Sequence, residues 1–292
     1  MSISRRDFMK LLGISGISNG AGILNFPISE MFISGSIAPA HSLYGRALST
    51  VPVYASTSTE SAVLRHLFPD TVIPFENAHE WQSLPDGFVL RDAFQPMHIP
   101  AHQTNPEAIA GSTLVEVVGP SAAVYAYADV RSPIHTRIGH GGTAIAVNHL
   151  DIQNERWYEL NIGGKMYWSL ANRWKPAEVI PNPSRTLLTL DTARHQLNAN
   201  SLWDVSVFHS PLVQGQYELV DHLPVDATET YSGVAWVTVW QCQDQQIRMG
   251  GAYWHHQFGR SSVGLITPEI QLPPFIAQQL YASPRGSTLI IR

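Results

Sequence analysis

The sequence predicts a mainly β protein, and three observations lead there. Its 292 residues include 21 glycines and 20 prolines while only 14% are charged, a balance that suits short strands and many turns better than long helices. Apolar residues alternate or run together in short segments such as Val234-Ala235-Trp236-Val237-Thr238-Val239-Trp240, as core strands do. The tripeptides Val53-Tyr54-Ala55 and Val124-Tyr125-Ala126 open two similar blocks 71 residues apart, which marks an internal repeat. With 44% hydrophobic residues the chain can bury a sizeable core. A formal charge of −5, and no Lys/Arg cluster beyond the N-terminus, argue against a nucleic-acid partner. The single cysteine, Cys242, excludes an internal disulfide framework and reads as a small strand residue.

The first forty residues read separately. Ser4-Arg5-Arg6-Asp7-Phe8-Met9-Lys10 resembles the twin-arginine export signal, and the segment after it, 11–37, is interrupted by Asn19, Asn25, Pro27 and Glu30. That segment is too broken for a permanent membrane helix, and Ala38-Pro39-Ala40 offers a small-residue cleavage site. The resemblance implies a signal peptide over 1–40, export in the folded state by the twin-arginine route, an extracytoplasmic location in the cell envelope, and no permanent membrane span after cleavage.

The repeat comes next. In the first block Phe68-Pro69-Asp70 precedes Thr71-Val72-Ile73, then Trp81 and Asp86-Gly87-Phe88-Val89. In the second, Gly139-His140-Gly141-Gly142 precedes Thr143-Ala144-Ile145-Ala146-Val147, then Trp157-Tyr158-Glu159-Leu160, Gly163-Gly164 and Tyr167-Trp168. Short strands punctuated by Gly, Pro and Asp suit small barrels, and the order resembles bacterial SH3-like modules. Gly139-His140-Gly141-Gly142 reads as a turn. Residues 96–106 and 175–183, rich in Pro and Asn, read as linkers.

The remainder opens with Thr186–Asp191 and Arg194-His195-Gln196-Leu197 as a first hairpin, then Ser210-Pro211 to Leu219 as a turn and strand. Val234–Trp240 reads as a core strand running on to Met249, Thr267-Pro268-Glu269-Ile270 to Leu280 as a helix, and Ser287–Arg292 as a closing strand. The stretch between them, 249–265, MGGAYWHHQFGRSSVGL, resembles the active-site strand and loop of the L,D-transpeptidases, the cysteine acyltransferases that crosslink peptidoglycan stem peptides. Gly251, Tyr253, Trp254 and His255 fall on the Gly, Tyr, Trp and His of a His-Gly-x-Tyr-Trp-His motif, and Ser262 and Gly264 on the Ser and Gly of Ser-His-Gly-Cys. Three defining residues differ: Gly250 and Val263 stand where the two histidines belong, and Leu265 where the nucleophilic cysteine belongs. The resemblances together imply two small SH3-like barrels, 41–97 and 113–176, followed by an L,D-transpeptidase-like β-sandwich with one short helix over 184–292.

Acyl transfer of this type needs a thiolate, a histidine to take and return its proton, and N–H donors for the oxyanion. Leucine has no lone pair, and losing the histidine removes the means of activating a substitute. The sequence therefore points to a pseudoenzyme in which none of the catalytic groups is retained. Its candidate cleft is Tyr253, Trp254, His255, Ser262 and Gly264, its partners peptidoglycan stem peptides or a cell-wall enzyme, and no cofactor or metal is implied. An active rival uses Ser262 or Cys242 with His255, or a serine, Ser261 or Ser262, with His255 or His256 as base. A third reading is a purely structural envelope protein in which the cleft has closed over Val263 and Leu265. A metal on His255 and His256 is disfavoured because adjacent strand residues point to opposite faces.

Overall fold

The computed structural model describes residues 43–75, 80–98, 106–179, 184–199, 203–226, 234–255, 258–262 and 268–292. The segment 1–40, expected to be an export signal, lies outside them. The chain is mainly β, with several sheets and, among the described residues, one α-helix. Three lobes follow one another within the unit Pro39–Arg292.

The first lobe comprises β1 (Leu43–Ala47), β2 (Val51–Tyr54), β3 (Val63–Leu67), β4 (Val72–Phe75), β5 (Trp81–Leu84), β6 (Gly87–Leu90) and β7 (Phe94–His98). They form two small sheets, in the orders β4-β1-β7 and β3-β2-β6-β5, closed over Val51, Val53, Val89 and Phe94. Pro96 and Met97, expected in a linker, belong to β7. That strand is the edge of its sheet, where a missing N–H is tolerated.

The second lobe comprises β8 (Thr113–Val117), β9 (Ser121–Tyr125), β10 (Ile134–Gly139), β11 (Thr143–Ile152), β12 (Glu155–Ile162), β13 (Lys165–Leu170) and β14 (Trp174–Pro176). Here one sheet holds all seven, in the order β10-β9-β13-β12-β11-β8-β14. Lys175 and Pro176, also expected in a linker, lie in the edge strand β14. A single 3-10 turn precedes the last strand in both lobes, at Arg91–Ala93 and Ala171–Arg173.

The repeat recurs in the bonds of these lobes, at 71 residues or a few residues from it. Ser56 N–H donates to Ser61 Oγ at 3.0 Å, and Tyr127 N–H to Ser132 Oγ at 3.1 Å. Tyr54 meets Trp81 edge-on at 5.6 Å, and Tyr125 meets Trp157 edge-on at 5.7 Å. Asp70 N–H donates to the Ala47 carbonyl at φ 67°, and Gly141 N–H to the Val117 carbonyl at φ 74°. This left-handed turn is open to Asp and Gly and to few other residues.

The third lobe comprises β15 (Leu187–Asp191), β16 (Gln196–Ala199), β17 (Trp203–Ser206), β18 (Phe208–His209), β19 (Gly215–Asp226), β20 (Val234–Cys242), β21 (Gln245–Gly251), β22 (Arg260–Ser261), β23 (Glu269–Leu272), helix α1 (Pro274–Tyr281) and β24 (Thr288–Ile291). One mixed sheet runs β17-β16-β15-β24-β19-β20-β21-β23-β18-β22. Its core joins Leu188, Leu190, Tyr217, Trp240, Met249 and Leu289 to Ile276 and Leu280 of the helix. The helix starts later than its sequence suggests. Glu269–Leu272 pairs instead with β21 in parallel, and Pro273 and Pro274, at the N-cap and first helical position, fix the start where a missing N–H costs no bond.

Candidate functional site

The motif stretch begins on β21, the second arm of the hairpin β20–β21. That hairpin turns at Gln243 and Asp244, so the expected continuous strand to Met249 is two strands. Between the pairs Ala235–Gly251 and Thr238–Met249, two residues of β20, Trp236 and Val237, oppose the single residue Gly250. This is a β-bulge, and it places Trp236 at φ 57°, a left-handed conformation that a bulky side chain adopts only when its surroundings hold it there. What holds it is visible: the indole is buried, its N–H donates to the Gly141 carbonyl at 3.2 Å, and its ring meets Tyr281 edge-on at 5.5 Å.

The bulge also settles what can stand at position 250. A Cβ on Gly250 would lie 2.6 Å from Val234 Cγ1, 2.9 Å from Val237 Cγ2 and 3.2 Å from the Ala235 carbonyl. The space that a side chain at position 250 would need is thus filled by two valines, which with Val239, Val220, Leu223 and Trp254 make an apolar cluster.

Tyr253 and Trp254 follow. Tyr253 is only 5% exposed and packs in the core of the second lobe, with Trp254 against the same cluster. The Tyr253 ring therefore faces the second lobe and not an open cleft wall. Gly139 and Gly142 of that lobe lie against it: a Cβ on Gly139 would come within 2.9 Å of the ring and one on Gly142 within 3.1 Å. Small residues here are a condition of the approach.

His255 is held differently. Its Nε2 lies 2.5 Å from Gln271 Oε1, and Gln271 Nε2 lies 2.9 Å from Glu269 Oε1. A carboxylate only accepts, so the Gln271 amide must turn its NH2 to Glu269 and its oxygen to His255. His255 then donates from Nε2, which leaves the lone pair of the neutral ring on Nδ1. Phe208 and Phe258 pack against the ring, tilted, with centroids at 5.0 and 5.1 Å. The result is an imidazole oriented by a carboxamide and a carboxylate, the third-group arrangement that acid–base chemistry uses. Neither Gln271 nor Glu269 is singled out by the motif, although their i, i+2 spacing on a strand puts both on one face.

A pair of imidazoles lies next to Phe208, at His195 and His209. His209, 4% exposed, has Nδ1 2.7 Å from the Ser210 carbonyl, which requires a proton on that nitrogen. Its Nε2 then accepts from His195 Nδ1 at 2.9 Å. His209 and Phe208 are adjacent strand residues, so this pair lies on the opposite face from the His255 ring.

Ser262 is half-buried and its N–H donates to the His209 carbonyl at 3.0 Å, while β22 beside it pairs with β18. Cys242 sits at the turn end of the hairpin, whereas Gly251 is at the other. About seven residues of strand, roughly 20 Å at 3.3 Å each, separate it from the segment that leads to His255. A nucleophile and its base need about 3 Å. His256, Val263, Gly264 and Leu265 lie outside the described residues. Among the described residues, no group of three or more His, Cys, Asp or Glu is placed to hold a metal ion, and no helix is long and apolar enough to cross a membrane.

No family model matches the sequence, and no curated protein sequence does either. Among solved structures the chain is similar to an L,D-transpeptidase from Stackebrandtia nassauensis, at 13% identity over 39% of this chain and 58% of that one, with a TM-score of 0.28. It is also similar to an L,D-transpeptidase from Mycobacterium smegmatis, at 15% identity over 65% of this chain and 97% of that one, TM-score 0.30. A third is an L,D-transpeptidase from Mycobacterium tuberculosis H37Rv, at 10% identity over 61% and 79%, TM-score 0.31. The chain spans less than two-thirds of the first of these.

Proposed function

We propose that this chain is an exported cell-envelope protein built on the L,D-transpeptidase frame, which binds peptidoglycan stem peptides or a cell-wall enzyme and does not catalyse acyl transfer. The observation that carries this reading is the pair Val234 and Val237 over Gly250. A histidine lost by point substitution leaves its space behind; here the space is filled from a bulge of the neighbouring strand, so no vacancy for the imidazole remains. Leu265 in the nucleophile position and Val263 beside it agree with that in sequence. The frame Gly251, Tyr253, Trp254, His255, Ser262 and Gly264 is kept for fold and for binding. The 41–97 and 113–176 segments, in their SH3-like reading, belong to the same wall-binding role.

The test is retention of the mature chain on purified sacculi at low salt. Recovery in the sacculus pellet supports the reading; a chain that stays in the supernatant argues against wall binding.

The orientation of His255 by Gln271 and Glu269 favours one competing reading, a serine-dependent acyltransferase using Ser262. Incubation with tetrapeptide muropeptides separates the two. Crosslinked product that disappears on Ser262→Ala would overturn the pseudoenzyme reading, whereas no product supports it.

A further inference from the structure

The first lobe reaches the motif segment through one side chain. Arg46, on β1, is buried, and its guanidinium donates from Nη2 to the main-chain carbonyl of Tyr253 at 2.5 Å, across 207 positions of sequence. The rest of the group is equally committed. Nη1 meets Asp70 Oδ1 at 2.6 Å, and Nε and Nη2 donate to Gln95 Oε1 at 2.9 and 2.7 Å. Gln95 passes the contact on, its Nε2 donating to the His140 carbonyl of the second lobe at 2.8 Å. A Cβ on Gly139 would lie 2.8 Å from the guanidinium carbon and 2.9 Å from the Tyr253 ring. All three lobes therefore meet at this guanidinium.

The repeat shows that the position is a docking site in both lobes. Arg46 pairs across strands with Gln95, and its counterpart Glu116 with Lys175. Lys175 Nζ lies 3.6 Å from Glu116 Oε2, and Gln278 of helix α1 donates to the same oxygen at 3.4 Å. In each lobe a charged side chain of the first strand thus contacts the third lobe, Arg46 buried and Glu116 half-buried. In the second lobe that charge holds the helix; in the first it holds the carbonyl two residues before His255.

We infer that Arg46 is a positioning residue for the motif segment: it fixes the main chain of 251–255, and through it His255, so that ligand binding there depends on the first lobe. The part concerning ligand binding rests on the proposed function; the part concerning the main chain does not. Arginine suits the task because a planar fork satisfies a carboxylate, an amide oxygen and a carbonyl at once, which the single ammonium of lysine cannot.

The experiment uses the full mature chain and the double variant Arg46→Met/Asp70→Asn, which removes the ion pair without leaving a buried charge and keeps a residue suited to the left-handed turn at position 70. Hydrogen exchange is followed at the Ala252 amide, which bonds the Leu272 carbonyl at 2.8 Å, and in the cores at Ala144 and Leu188. Expected is exchange at Ala252 faster by about tenfold or more, the size set by one charge-assisted bond, with unchanged protection at the two core amides and reduced retention on sacculi. Unchanged exchange at Ala252 in the folded variant overturns the inference. If the double variant does not fold, Arg46→Lys decides by the same measure, with a smaller acceleration expected. Wild-type chain that fails to bind sacculi removes the proposed function and leaves the exchange result standing; faster exchange with undiminished retention overturns the dependence of binding on Arg46.

Discussion

Val237 stands over the bare Cα of Gly250, its Cγ2 2.9 Å from where a Cβ would lie. Overpacking of this kind costs about 1–3 kcal/mol, so Gly250→Ala is expected to lower the urea midpoint of the whole chain. Gly250→His should be worse, and should recover in part when Val234 and Val237 are cut to alanine. The combined variant Gly250→His, Val263→His and Leu265→Cys is therefore expected to destabilise the fold unless both valines are also changed. A Gly250→His variant as stable as wild type would show that the valines can move aside.

Gly141 and Gly164 separate conformational from contact effects. Both have positive φ, 74° and 78°, but a Cβ at Gly141 meets Pro274 Cβ at 2.8 Å while one at Gly164 meets nothing within 4 Å. Alanine at Gly164 should cost only the left-handed conformation, about 1–2 kcal/mol. Alanine at Gly141 carries the same cost plus a clash with the start of helix α1. Equal losses in denaturant titrations would mean that the second lobe does not press on the helix.

Glu116 gives the fold a pH dependence. Burial pushes its carboxyl above the usual range, more than the attraction of Lys175 and the bond from Gln278 pull it down. A carboxyl raised in the folded state favours the protonated form, so it detracts from stability above its folded pKa and ceases to do so once the pH falls below the unfolded value, about 4.3. Glu116→Gln is thus expected to stabilise the chain at pH 7 and to bring a smaller gain at pH 4. A gain that grew on acidification would contradict a carboxyl raised by burial.

The bond order at His255 can be read directly. Nitrogen NMR of the wild-type chain should show the neutral ring protonated at Nε2, as the link through Gln271 to Glu269 requires. Gln271→Leu removes the amide that links the half-buried His255 and Glu269 and should cost about 1 kcal/mol. A ring protonated at Nδ1 in the wild type would reverse the assigned amide orientation.

What could be read from the sequence was what depends on neighbours in the chain. Alternation and turn residues gave the strands of both repeats, because side-chain period and left-handed turns are local properties. Misreadings fell where pairing overrides composition: Pro96 and Pro176 look like linker residues but lie on edge strands, and Glu269–Leu272 looks like the start of a helix but completes a sheet. At the site, the motif named His255 but neither Gln271, sixteen positions on, nor Arg46, whose bond to Tyr253 has no trace in local pattern.

The sequence by itself determined a mainly β chain, a 71-residue repeat and a stretch, 249–265, with two adjacent histidines and no thiol, since these are statements of residue type and spacing. Tertiary structure alone decided that the space beside Gly250 is filled, that Tyr253 faces the second lobe, and that an arginine from the first lobe holds its carbonyl. Those outcomes depend on which atoms distant strands bring within 3 Å, and a bulge of one residue on β20 is enough to change them.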